Sequence, residues 1–147
     1  MRASFFSMKA EYACEAMMEL AARHRDPTPI RLKTIADAHG IPKRFLVQIL
    51  IQLKTGGLVE STRGSSGGYQ LARDPDQISL ADIIGVIERT EPAENSLDRN
   101  RSENSCKRVI HSLWNEITEA QQAILERTTL AELISRARAQ DSLMYSI

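Results

Sequence analysis

Apolar side chains recur every three to four residues from about Phe5 to Arg23. Tyr12, Ala16 and Leu20, flanked by Ala13, Met17 and Ala21, form the stripe of an amphipathic helix. Asp26-Pro27-Thr28-Pro29 breaks it, because proline has no amide to donate and restricts the residue before it. A short second helix is predicted over Leu32 to His39, with Leu32, Ile35 and Ala36 inward and Gly40 closing it as a left-handed residue. Pro42 suits the first turn of a third helix that runs through Lys54. Its Phe45, Leu46, Ile49, Leu50 and Leu53 make one apolar face, and Lys43, Arg44, Val47, Gln48, Ile51 and Gln52 point outward.

Gly56-Gly57 stops that helix. Two short extended segments, Leu58 to Thr62 and Tyr69 to Ala72, then flank Arg63-Gly64-Ser65-Ser66-Gly67-Gly68, which reads as a hairpin with a glycine-rich tip. Ser79 is a suitable N-cap for a fourth helix that buries Leu80, Ile83, Ile84 and Ile87 and ends near Thr90. The stretch from Thr90 to Ser105 is polar almost throughout and reads as a loop or disordered segment. A long helix resumes near Cys106 and carries Val109, Ile110, Leu113, Trp114, Ile117, Ala120, Ile124 and Leu125. Thr129-Leu130-Ala131-Glu132 has the spacing of a capping box for a last short helix, fraying after Arg138. The fold class expected is mainly α with a small β-hairpin. Residues 1–89 form one unit, 90–105 a polar loop, and 106–147 the long and terminal helices.

Length and charge sharpen this picture. With 147 residues and 42% hydrophobic content, the chain suffices for one cored domain with an appended element. Lys+Arg 19 against Asp+Glu 19 rules out a polycation that binds nucleic acid by bulk charge alone. The charge is nonetheless polarised: residues 1–74 carry 11 basic and 7 acidic side chains, and the remainder 8 and 12. Between Pro42 and Arg73 five basic residues (Lys43, Arg44, Lys54, Arg63, Arg73) face Glu60 alone. Only Cys14 and Cys106 could form a disulfide, so no disulfide scaffold is expected and a reducing cytoplasm fits. No apolar run approaches the ~18 residues of a membrane span and the opening residues do not read as a signal peptide, so a soluble protein is expected.

A short helix, a glycine-bearing turn and a second helix with paired cations at its start make a helix-turn-helix over about Leu32 to Lys54. The hairpin that follows gives the element order of a winged helix. Lys43, Arg44 and Gln48 can point away from the buried face into a major groove, while Arg63 and the Gly64, Ser65 and Ser66 tip can reach phosphates or the minor groove. A winged helix that serves only as a protein-interaction module is the alternative. His24, His39 and His111 are scattered and no nucleophile–base motif appears, which argues against an enzyme.

The chain resembles the Rrf-two (Rrf2) family of winged helix-turn-helix transcriptional regulators. The matching residues are Glu11-Tyr12-Ala13, Ile35-Ala36, Gly40-Ile41-Pro42, Leu53 through Val59, and above all Arg63-Gly64-Ser65-Ser66-Gly67-Gly68-Tyr69-Gln70-Leu71-Ala72-Arg73. Ile78-Ser79-Leu80 and Thr129 through Leu133 also fit, so the likeness runs from about Met8 to Leu133. It implies a repressor that binds double-stranded DNA as a homodimer, held by the long helix, on a palindromic operator. Cluster-binding members place three cysteines in or near the segment matching Thr90 to His111, where this chain has Cys106 alone. The donors that family likeness would offer an iron–sulfur cluster are Cys106, His111 and Glu11, a thin set for four ligands, so no cofactor and no metal is expected. A cluster completed by the dimer partner is the alternative. Cys106, beside Lys107 and Arg108, is also a candidate thiol switch, and a small-molecule signal is equally open.

Overall fold

The computed structural model describes residues 6–88 and 104–145. Helix α1 (Met8–Ala22) starts at Ser7, whose hydroxyl accepts from the Ala10 amide at 3.1 Å, and this cap sets the start at Met8 rather than Phe5. Its Ala10, Ala13, Ala16, Met17, Leu20 and Ala21 are buried, and most of the other helices pack on it. Helix α2 (Leu32–His39) ends on Gly40 at φ 63°, where an L side chain would be strained. Helix α3 (Lys43–Thr55) follows Pro42 and buries Leu46, Ile49, Leu50 and Leu53. Phe45, expected on that buried face, is 43% exposed, with the Arg44 guanidinium over its ring at 5.0 Å.

Strands β1 (Val59–Thr62) and β2 (Gly68–Leu71) pair antiparallel, Val59 opposite Leu71 and Thr62 opposite Gly68. The ribbon does not stand alone. Ile30 and Tyr69 exchange both backbone hydrogen bonds, at 2.9 and 2.8 Å, so the strap before α2 lies along β2. Gly68 makes this possible, since a Cβ there would collide with the Ile30 carbonyl.

A 3-10 turn (Pro75–Gln77) leads to α4 (Leu80–Ile87), which opens with a full capping box: Ser79 Oγ accepts from the Asp82 amide and Asp82 Oδ2 from the Ser79 amide. The helix stops at Ile87, short of Thr90. Val86 packs into the space left by Gly56, where a Cβ would lie 2.6 Å from its Cγ2, so α4 rests directly on the end of α3. Glu88 turns back to α1, accepting from Ser7 N–H at 2.9 Å and Ser7 O–H at 2.8 Å. Most of the polar stretch expected between Thr90 and Ser105 lies outside the described residues.

Helix α5 (Ser105–Arg127) is capped by Asn104, and α6 (Leu130–Tyr145) completes the fold. The final helix is neither short nor frayed past Arg138. Its first half packs on α1 and on the 3-10 turn, and the α-helical hydrogen bonds then carry on through the polar second half. Thr129 Oγ1 accepts from the Glu132 amide at 3.2 Å, as the capping-box spacing predicts. The α5–α6 elbow is pinned to the start of α4: Leu80 N–H donates to Thr128 O at 2.8 Å and Leu130 N–H to Ile78 O at 2.9 Å, with Thr128 buried between them.

Candidate nucleic-acid interface

The outward stripe of α3 follows from its period. Buried positions 46, 49, 50 and 53 define one face, which places Arg44, Gln48 and Ile51 opposite it and Lys43 and Val47 beside them toward the wing. Lys43, Arg44 and Gln48 are all exposed. So are Arg63, Gly64, Ser65 and Ser66 at the tip of the hairpin, and among the described residues none of Lys43, Arg44 and Arg63 is held in an ion pair. Helix α3 and the hairpin are also joined, since Lys54 Nζ donates to Ser61 Oγ at 2.6 Å.

The tip has a defined shape. Gly64 sits at φ 105° and the Gly67 amide donates to its carbonyl at 3.0 Å, a turn that puts Ser65 and Ser66 at the apex. Gly67 is buried against the Thr62 carbonyl, where no side chain fits. Between the tip and the start of α2 lies a cleft of about 520 Å³ lined by Arg31, Leu32, Arg63 and Tyr69, among others. Arg31 donates from its guanidinium to the Ser65 carbonyl across this cleft. Sequence reasoning missed Arg31 and the Lys54–Ser61 tie, because both depend on which loop meets which helix rather than on any local pattern.

The candidate sensor residues are not brought together in the same way. Cys106 is exposed in the first turn of α5, its amide donating to Asn104 Oδ1 at 2.8 Å. His111 is half-buried one turn further along. Glu11 lies on α1 at the rim of a second cleft, of about 320 Å³, with Cys14, Met18, Leu80, Ile84 and Leu125. Among the described residues no group of three or more His, Cys, Asp or Glu side chains is placed to hold a metal ion. Cys14 packs against the core, and burial, reinforced by Glu15, Glu11 and Glu88, pushes its thiol up to about 11, which disfavours the thiolate a metal requires. Residues 89–103 add neither cysteine nor histidine. Among the described residues, the donors of one chain are not gathered as an iron–sulfur cluster needs.

Helix α5 presents a different surface. Val109, Ile110, Leu113, Trp114, Ile117 and Ile124 are all at least 44% exposed, and Leu125 is its one buried residue among those described. Ile110, Ile117 and Ile124 fall at seven-residue spacing with Leu113 between them, a continuous apolar seam turned away from the chain's own core.

Comparison with known proteins places the chain among transcriptional regulators. Residues 6–136 match the Rrf2 family, described as an iron-dependent transcriptional regulator. The HTH-type transcriptional regulator CymR of Bacillus subtilis is 38% identical over 130 residues, 88% of each chain. The solved structure of B. subtilis CymR, described as the global cysteine regulator, superposes with a TM-score of 0.76 over 91% of this chain and 98% of that one, at 36% identity. The structure of T. potens IscR gives 0.75 over 91% and 88%, at 33% identity.

Proposed function

This chain belongs to the Rrf2 family of DNA-binding transcriptional regulators, and from that membership we propose that it is a homodimeric repressor of a palindromic operator. Its relatives are named as transcriptional regulators, and in this reading the chain is no enzyme. In this reading residues 1–89 are the winged helix-turn-helix domain, with α3 in the major groove. Lys43, Arg44 and Gln48 read bases, and Arg63 with the Gly64–Ser66 backbone and hydroxyls holds phosphates or the minor-groove edge. Residues 106–147 supply the dimer helix and the terminal helix, with 90–105 as a candidate sensor segment. No helix among the described residues is long and apolar enough to cross a membrane. As a DNA-binding regulator its site of action is the cytoplasm.

The observation that carries the proposal is the set of exposed, unpaired cations at the head of α3 and on the wing, in a chain whose net charge is zero. Such a cluster costs self-repulsion in the free protein, and counterions released from DNA offset it. The donor count supports operator binding without a cluster.

The test is operator affinity by fluorescence anisotropy across a salt series. Wild type gives a linear fall of log K with log salt. Arg44→Ala with Arg63→Ala lowers affinity by about 1–3 kcal/mol for the base contact and makes the salt slope shallower by about 0.9 for the phosphate contact. A folded double variant with wild-type affinity refutes the assignment. A wild-type protein that shows no salt-dependent duplex binding leaves only a protein-interaction module.

A further inference from the structure

Two outward residues of α3 are apolar. Val47 is 39% and Ile51 56% exposed, and both lie on the stripe that carries Lys43, Arg44 and Gln48. β-Branched side chains are neither strong helix formers nor at ease in water, so nothing in the folded monomer favours them at these positions. Phe45, on the flank toward α1, is different: it lines a recess with Met8, Lys9, Tyr12 and Gln48 and carries the Arg44 guanidinium on its ring. Val47, at 39%, is about as open as Phe45 at 43%, and Ile51, at 56%, is more open.

We propose that Val47 and Ile51 read thymine by packing on its 5-methyl group in the major groove. The inference rests on the operator-binding reading above and names part of the sequence that operator contains. Its chemistry is selective. Base-pair edges in the major groove are otherwise donors and acceptors, which cations and Gln48 satisfy, and the thymine methyl is the apolar feature they present. The surrounding positive charge commits the face to a polyanion, which distinguishes it from an apolar patch meant for another protein.

The spacing makes the proposal specific. Residues 47 and 51 are one helical turn apart, about 6 Å along the axis, and base pairs rise about 3.4 Å, so the two methyls belong to pairs about two steps apart in each half-site. Gln48 lies beside Ile51 on the stripe, on the side away from Val47. A Gln side chain pairs bidentately with adenine, and the thymine opposite that adenine places its methyl beside the same helix. Arg44, one turn before Gln48, favours guanine. Each half-site therefore holds a guanine followed by A·T pairs whose methyls face α3.

The experiment selects binding sites from a random duplex pool with the full chain. It then replaces each thymine of the selected site singly by deoxyuridine, which removes the methyl and leaves base pairing intact. One or two replacements per half-site weaken wild-type binding about fourfold each, the cost of one unburied methyl group. Val47→Ala loses the penalty at one of these positions and Ile51→Ala at the other. Both variants change exposed helical residues to alanine, and their melting temperatures match wild type. Selection that succeeds, followed by a flat deoxyuridine scan or by penalties unchanged in both variants, overturns this inference and leaves operator binding standing. Failure to select or bind any duplex overturns both.

Discussion

Replacing Ile117 with aspartate converts the protein to a monomer. Ile110, Leu113, Trp114, Ile117 and Ile124 each leave 44–54% of their surface in solvent in the single chain. Full burial of such a side chain contributes about 1.5–3 kcal/mol, so covering the open half of Ile117 contributes about 1 kcal/mol. A two-fold interface counts every residue twice, so Ile117→Ala weakens the dimer by about 2 kcal/mol, a change of roughly thirtyfold in dissociation constant. Aspartate adds the desolvation of two carboxylates and takes the equilibrium well beyond the micromolar range. The substitution sits on the free side of α5 and leaves the core around α1 untouched, so helical circular dichroism persists. Sedimentation equilibrium over a wide range of loading concentrations reads the mass directly. A wild-type monomer at micromolar concentration, or an Ile117→Asp variant that stays dimeric, refutes the reasoning about the seam.

Gly56→Ala places a methyl group 2.6 Å from Val86 Cγ2 and destabilises the protein by about 1–3 kcal/mol in urea. Val86→Ala in the same chain relieves it, so the double-variant cycle shows a coupling well above the additivity error of about 0.3–0.5 kcal/mol. Iodoacetamide at mildly alkaline pH modifies exposed Cys106 and spares Cys14 until the chain unfolds, read by peptide mass. Because the folded Cys14 thiol is raised from 9.0 to about 11, its contribution to stability is intact below 9.0 and is lost as pH rises through about 11. Cys14→Ala abolishes that alkaline loss in urea titrations. Anaerobic incubation with iron and sulfide leaves no stoichiometric cluster by iron and sulfide analysis, and the apo protein binds its operator. A stoichiometric cluster lost in Cys106→Ala overturns this.

The parts of the fold legible in the sequence are those set by local rules. The α2–Gly40–Pro42–α3 unit shows in its period and its breakers, and Gly40 takes the left-handed conformation expected of it. Strand and tip limits emerge within a residue, because the glycines on either side mark them. Phe45 was misassigned because a helical period puts it at the margin of the apolar face, where the position of α1 decides exposure. The length of α6 escaped for the opposite reason: its second half has no apolar period, and its helix continues from a docked first half. In the candidate site, Lys43, Arg44 and Gln48 are readable as outward. Arg31 and the tether from Lys54 to Ser61 are tertiary facts that no local spacing encodes.

The elbow at Thr128 acts as the fulcrum of a lever. Helix α5 has 23 residues, about 34 Å at 1.5 Å per residue, and where it meets α6 the backbone is bonded to Ile78 and Leu80 at the start of α4. Turning α5 by about 5° around that point displaces its far end by about 3 Å, close to the rise of one base pair. In a two-fold assembly joined along α5, the angle at Thr128 is thus the gauge of the distance between the two recognition helices. Changes in preferred operator length are to be sought in the few residues around this hinge rather than in those that touch DNA.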